Sequence, residues 1–284
     1  MKITLAKTAG FCFGVERAVE TVYEQVENGD GQQIYTFGPI IHNEEVIKDI
    51  RSKGIIVLRD EEELSKIESG IVIIRSHGVP KRIYTQLEEK GITCVDATCP
   101  FVRKIHNIVE EQKKSGRKII IIGNPAHPEV EGIIGWADDD AIVAGSKEEA
   151  MLISLPENEK VCIVAQTTFN YNKFEELVEI IREKRYDIIV LNTICSATKA
   201  RQTEAKRIAE ESEAMIVIGD KHSSNTQKLF EICKNACENT YYIQTLRDLE
   251  LNQLGSVTTV GITAGASTPK NIIEEVQNNV RINF

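Results

Sequence analysis

Twelve short runs rich in β-branched and aliphatic residues punctuate the chain: ITLA, IYTF, IIVL, IVII, TCV, IIII, AIVA, VCIVA, a second IIVL, MIVI, YYI and TTVGIT. Longer amphipathic segments separate them. Runs that are apolar throughout, rather than alternating, belong to strands buried on both faces, as in parallel sheets covered by crossover helices. The sequence therefore predicts an α/β fold, and so many strands in 284 residues invite a search for internal repetition.

Cysteine supplies the register. AGFCFGVERA, DATCPFVRKI and NTICSATKAR each set a cysteine just after a strand and just before a charged amphipathic helix. These are Cys12, Cys99 and Cys195, 87 and 96 residues apart. After each, a second strand runs into a polar loop: His42, His127 and Ser223 stand 30, 28 and 28 residues on. A third strand follows, and a fourth leads to His77, Thr167 and Ser267, 65, 68 and 72 residues on. Four landmarks matched in three copies predict three repeated α/β units, 1–97, 98–193 and 194–284, each about the size of a small domain. Ligands of open parallel sheets bind at the carboxyl ends of strands, where all these loops lie. The expected architecture is a pseudo-threefold trefoil of mainly parallel sheets around a central cavity. Pro80, Pro100, Pro128 and Pro269 are expected in first helical turns, whose N–H groups and positive dipole ends suit thiolates, phosphates and carboxylates.

The formal net charge of −9 argues against a nucleic-acid binder, which needs a basic face. No signal-peptide core and no membrane-length apolar run is present, so a cytoplasmic protein is expected. In that reducing setting the seven cysteines should not form a disulfide framework, and no C-x-x-C pair suggests a zinc ribbon. Cys94 and Cys162 fall within apolar strands and are expected to pack there; Cys233 and Cys237, in EICKNACE, read as helix-face residues. A lone cysteine is commonly a buried bystander, but three at repeat landmarks make a soft three-thiolate set suited to zinc, copper or an iron–sulfur cluster. No fourth thiol repeats, which would leave one metal position open, as in catalytic sites.

His42, His77 and His127 fall at landmarks and read as donors to an anionic ligand. His106 reads as a solvated helix residue and His222 as structural. Ser223, Ser224 and Asn225 add uncharged donors, although such clusters also make plain turns. Glu129 follows His127 in HPEVEG. A carboxyl in an anion pocket must carry a proton or a role, and burial would raise its pKa toward that of a proton donor. The plainer reading is a first-turn acid favoured by the helix dipole.

Together AGFCFGVERAV, GPIIHN, SHGV, DATCPFV, HPEVEG, AQTT, ICSAT, SSNT and TAGASTP resemble the LytB/IspH family of 4-hydroxy-3-methylbut-2-enyl diphosphate reductases over nearly the whole chain. One local departure is Ala126, where the family pattern often has glycine before the histidine. The resemblance implies a 4Fe-4S cluster held by Cys12, Cys99 and Cys195 with one open iron, and a two-electron reductive dehydroxylation giving isopentenyl and dimethylallyl diphosphates, the last step of the non-mevalonate isoprenoid pathway. It implies that His42, His77, Ser223, Ser224, Asn225 and Ser267 hold the diphosphate. His127, Thr167 and Glu129 would lie nearer the reacting hydroxyl, with Glu129 feeding protons. It further implies a monomer reduced by flavodoxin or ferredoxin. The rival readings are an iron–sulfur sensor or carrier, which would want a fourth cysteine, and a zinc-dependent diphosphate hydrolase.

Overall fold

Each of the twelve apolar runs forms a strand of three to six residues in the computed structural model, which describes residues 2–29, 31–249, 254 and 257–283. In chain order the elements begin β1 (Lys2–Leu5), α1 (Phe13–Asn28), β2 (Ile34–Phe37), α2 (Glu44–Ser52), β3 (Ile56–Leu58), α3 (Glu61–Ser65), β4 (Ile71–Ile74), α4 (Lys81–Glu89) and β5 (Thr93–Asp96). They continue with α5 (Pro100–Lys114), β6 (Lys118–Ile122), α6 (Pro128–Gly135), β7 (Ala141–Ala144), α7 (Lys147–Leu152), β8 (Lys160–Ala165), α8 (Tyr171–Arg182) and β9 (Asp187–Val190). The last are α9 (Ser196–Glu210), β10 (Ala214–Ile218), α10 (Ser224–Ala236), β11 (Thr240–Ile243), β12 (Thr259–Ala264) and α11 (Lys270–Asn283).

The strands form three four-stranded sheets with the same internal order: β3-β2-β4-β5, β7-β6-β8-β9 and β11-β10-β12-β1. Among the described residues every pairing is parallel, an arrangement that helical crossovers between successive strands allow. The edge position held by β5 and β9 is taken in the third sheet by β1, in register from Lys2↔Thr259 to Leu5↔Ile262. The strand at the head of the 1–97 stretch thus completes the sheet of the 194–284 stretch, and each landmark cysteine follows the fourth strand of a sheet.

The chain divides into two compact units: Met1–Glu16, Ile41–Lys48 and Ser196–Phe284 in one, Arg17–Ile40 and Asp49–Cys195 in the other. The second unit contains the β2–β5 and β6–β9 sheets. Side chains alternate between the faces of a strand, and the β6–β9 sheet uses both. Ile120, Ile122, Val161 and Ile163 pack with Phe174, Leu177 and Ile181 of α8. Ile119, Ile121, Cys162 and Val164 pack with Ile105 and Val109 of α5 and Val130 and Ile133 of α6. In the first unit, Ile216, Ile218 and Ile262 meet Ile273, Val276 and Val280 of α11, while Met215 and Val217 meet Ala205 and Ile208 of α9 and Leu229 of α10. Each such aliphatic side chain contributes about 1.5–3 kcal/mol by leaving water, which fixes the strand ends and the loops they carry.

Several expectations need correction. Pro100 and Pro128 are first-turn prolines, but Pro80 occupies the N-cap of α4 and Pro269 directly precedes α11. Cys162, Cys233 and Cys237 are buried, whereas Cys94 is exposed because β5 is an edge strand with its pleat open to solvent. His106 is not solvated: it is 1% exposed, on the core-facing side of α5.

Candidate functional site

One backbone hydrogen bond recurs at all three cysteines. The Cys99 N–H donates to the Ser76 carbonyl at 2.9 Å, Cys195 N–H to Thr167 at 3.0 Å and Cys12 N–H to Ala266 at 3.3 Å. Each acceptor is the second residue beyond the end of its sheet's third strand, after Ile74, Ala165 and Ala264. The loop leaving the fourth strand is thus stapled to the loop leaving the third, which is why the landmarks keep step along the sequence. Each cysteine is half-buried and directly precedes a helix, α1, α5 or α9. The remaining cysteines lie in cores or on a strand edge. A half-buried thiol set just before a helix is a soft donor of the kind an iron–sulfur cluster takes.

Arginines support these loops and were not singled out from the sequence. In the second unit, Arg17 donates to the carbonyls of Thr98 (3.1 Å) and Asp96 (3.2 Å), bracing the turn into Cys99. In the first, buried Arg201 donates to Ala264 (2.8 Å) and Gly10 (2.9 Å), bracing the turn into Cys12. The signal was present: an arginine stands four to six residues after each landmark cysteine, at Arg17, Arg103 and Arg201.

The second unit gathers His77, His127, Glu129 and Thr167. His127 caps α6, its Nδ1 accepting the Glu129 N–H at 3.1 Å, so a neutral ring carries its proton on Nε2. Its ring meets His77 edge-on, centroids 5.3 Å apart, with a nitrogen of each within 4.8 Å. Glu129 is 1% exposed. Its Oε1 accepts the Thr167 N–H at 2.6 Å and its Oε2 the Thr167 hydroxyl at 2.7 Å. Burial raises its pKa to about 7, against the lowering effect of the Thr167 hydrogen bonds. The carboxyl is therefore divided between its acid and its base near neutrality. When protonated on Oε2 it can donate along the bond to Thr167, which frees the Thr167 hydroxyl to donate onward. Neighbouring Gln166, not foreseen, fixes this loop, its Oε1 accepting the Asn124 N–H at 3.1 Å and its Nε2 donating to Thr168 Oγ1 at 3.2 Å.

The first unit gathers His42, Ser223, Ser224, Asn225 and Ser267. His42 Nδ1 lies 2.8 Å from the His222 carbonyl; a carbonyl only accepts, so Nδ1 carries a proton and Nε2 faces away from it. The Ser267 hydroxyl donates to the His42 carbonyl at 2.9 Å. Ser223 caps α10, accepting the Thr226 N–H at 3.3 Å, and Ser224 opens the helix. Buried Asp220, also missed, ties the loops together by accepting the N–H groups of Glu44 (3.0 Å) and His222 (2.7 Å). Asn225 is 5% exposed, and both atoms of its amide lack a hydrogen-bond partner among the described residues. An unpaired buried amide costs about 1–3 kcal/mol, so a partner for Asn225 in this loop would be stabilising.

The LytB protein family matches residues 3–281. A 4-hydroxy-3-methylbut-2-enyl diphosphate reductase of Thermoanaerobacter sp. (strain X514) is 50% identical over 282 residues, covering 99% of this chain and 97% of that protein. One of Clostridioides difficile (strain 630) is 45% identical over 276 residues, covering 97% and 98%. Among solved structures, the E-1-hydroxy-2-methyl-but-2-enyl-4-diphosphate reductase of Plasmodium falciparum superposes with a TM-score of 0.90 at 30% identity, over 99% of this chain and 87% of that one. A second, described as the terminal enzyme of the non-mevalonate pathway, gives 0.70 at 38% identity over 99% and 100%.

Proposed function

The chain belongs to the LytB family, and from that premise we propose that it converts 4-hydroxy-3-methylbut-2-enyl diphosphate into isopentenyl and dimethylallyl diphosphates by two-electron reductive dehydroxylation. The reaction takes up two electrons and two protons; one proton leaves with the allylic hydroxyl as water and the other ends on carbon. The observation that carries this reading is Glu129, a buried carboxyl with a pKa near neutrality, tied to Thr167 beside His127. Near neutrality a large fraction of this carboxyl carries a proton that it can give to a departing oxygen.

Cys12, Cys99 and Cys195 would hold a 4Fe-4S cluster, which when bound supplies the electrons and an iron position that three thiolates leave open. The protein's part is to place and protonate the substrate. Thr167 takes the allylic hydroxyl as hydrogen-bond partner and passes on the Glu129 proton, and His127 Nε2–H donates to the same end of the molecule. His42, His77, Ser223, Ser224, Asn225 and Ser267 take the diphosphate, with the orphaned Asn225 amide gaining the partner it lacks. They do so without a permanent positive charge, so this set must work by hydrogen bonds against a net charge of −9. The electron donor is a small reduced flavodoxin or ferredoxin, and the enzyme a cytoplasmic monomer. Among the described residues no helix is long and apolar enough to cross a membrane.

Anaerobically purified protein is expected to be brown, to contain iron and sulfide, and to release water from the substrate when given a chemical reductant. A colourless zinc protein that liberates phosphate would overturn the reading. His42→Ala and Ser223→Ala are each expected to weaken inorganic diphosphate binding about ten- to a hundredfold, the worth of one hydrogen bond to a charged group, with the cluster spectrum unchanged. Calorimetric titration checks this; wild-type affinity in both variants would place the phosphates elsewhere.

A further inference from the structure

We propose that His106, through its ring stack on Trp136, is a positioning residue that fixes the His77 loop against the helix bearing Glu129. The inference rests on the reading of His77 as a diphosphate ligand. His106 stands two helical turns after Cys99 in α5 and takes no part in the chemistry derived above. Its imidazole lies parallel to the Trp136 indole, 13° between planes and 5.1 Å between centroids. Trp136 is the C-cap of α6, the helix that starts with Pro128 and Glu129, and its Nε1 donates to the Val79 carbonyl at 3.0 Å.

The other face of the contact is the His77 loop itself. Gly78 has φ +70, and a Cβ there would come within 2.5 Å of His106 Cε1 and 3.1 Å of Nε2. The backbone next to His77 therefore rests directly on the ring. On α6, a Cβ at Gly132 would lie 3.5 Å from the same Nε2, and one at Gly135 2.4 Å from Pro80 Cβ. Glycines on both sides let the loop, the ring and α6 approach to contact. The loop is also held at its other end, where Cys99 N–H bonds Ser76. The backbone that carries His77 is thus held on both sides, by the ring against Gly78 and by the bond at Ser76.

The nitrogen does not do this. His106 Nε2 is buried with no hydrogen-bond partner among the described residues, and burial lowers the ring's pKa to about 4, so it is a neutral plate. Shape is what it supplies.

The test is a double-mutant cycle on the anaerobically reconstituted full chain, read by calorimetric titration with inorganic diphosphate and by cluster absorbance. His106→Ala is expected to weaken binding about tenfold with the cluster absorbance unchanged, and His77→Ala about ten- to a hundredfold. Because His106 acts through His77, the double variant should bind within about twofold of His77→Ala alone. His106→Phe, which restores the plate, should bind within about twofold of wild type. Should His106→Ala not fold, His106→Leu, which lacks the plate, takes its place. Multiplied losses in the double variant, wild-type affinity in His106→Ala, or His106→Phe as weak as His106→Ala would overturn the inference. Wild-type affinity in His77→Ala would instead overturn the diphosphate role of His77, and the inference with it.

Discussion

Glu129→Gln is expected to bind substrate and keep its cluster while turnover falls about 10²–10⁴-fold, the usual worth of a positioned acid. An oxygen that departs without a proton leaves as hydroxide, a poor leaving group. Glu129 is buried, bonded twice to Thr167 and raised to a pKa of about 7, so near neutral pH a large fraction carries a proton. Glutamine keeps the size and can still accept the Thr167 N–H, but it has no proton to give. The same pKa sets a pH profile. Wild-type turnover should decline as pH rises through about 7, because the deprotonated carboxylate can only accept, and the residual rate of Glu129→Gln should show no such step. Steady-state rates with a chemical reductant remove any effect of donor docking. A variant above half the wild-type rate would take Glu129 out of the mechanism.

The same change should stabilise the protein at high pH. Burial raises the Glu129 pKa from 4.5 to about 7, so the folded state holds a proton that the unfolded state releases. Its contribution to stability is intact below pH 4.5 and is lost as pH rises through about 7, amounting to a cost of the order of 3 kcal/mol once the carboxylate is charged in the fold. Glutamine carries no such cost. The melting temperature of the variant should match wild type near pH 5 and exceed it near pH 8, and equal melting at both would mean that the carboxyl is solvated.

Much of this was legible because parallel strands buried on both faces announce themselves as apolar runs, and β4, β6 and β8 are such runs. The landmark loops were legible because the staple from each cysteine amide to a third-strand loop holds their spacing. Partner choice was not. β1 reads as a strand wherever it sits, and nothing local says that its partner is β12, more than 250 residues away. His106 was misread for a related reason: the residues that bury it, Gly78, Gly132 and Trp136, are distant in sequence and conspicuous only in space. Arg17, Arg201 and Asp220 hold backbone groups of loops, a role that follows from where those loops meet and not from any motif. The acidity of Glu129 could be suspected from HPEVEG, but its hydrogen-bond partner, Thr167, stands 38 residues on.

Cys12→Ser, Cys99→Ser and Cys195→Ser are each expected to lose the cluster or retain a small fraction of it, while Cys233→Ser and Cys237→Ser keep wild-type iron. A serine hydroxyl is a hard, weakly acidic donor that replaces a soft thiolate poorly, and a cluster held by these three cysteines as proposed would have no spare thiol to substitute. The first three cysteines share a half-buried place before a helix start and an amide tied to the neighbouring strand's loop. The other two are packed in the first unit against Ala205, Ile208 and Leu229, and burial pushes the Cys233 thiol up to about 12, where it is no ligand at neutral pH. Replacing these two costs packing and not chemistry, so their melting temperatures should fall and their iron should not. Iron and sulfide assays after anaerobic reconstitution separate the two classes. Wild-type iron in Cys195→Ser, or an iron-free but folded Cys237→Ser, would break the ligand assignment, since the first would show that a thiol can be spared and the second that a core cysteine cannot.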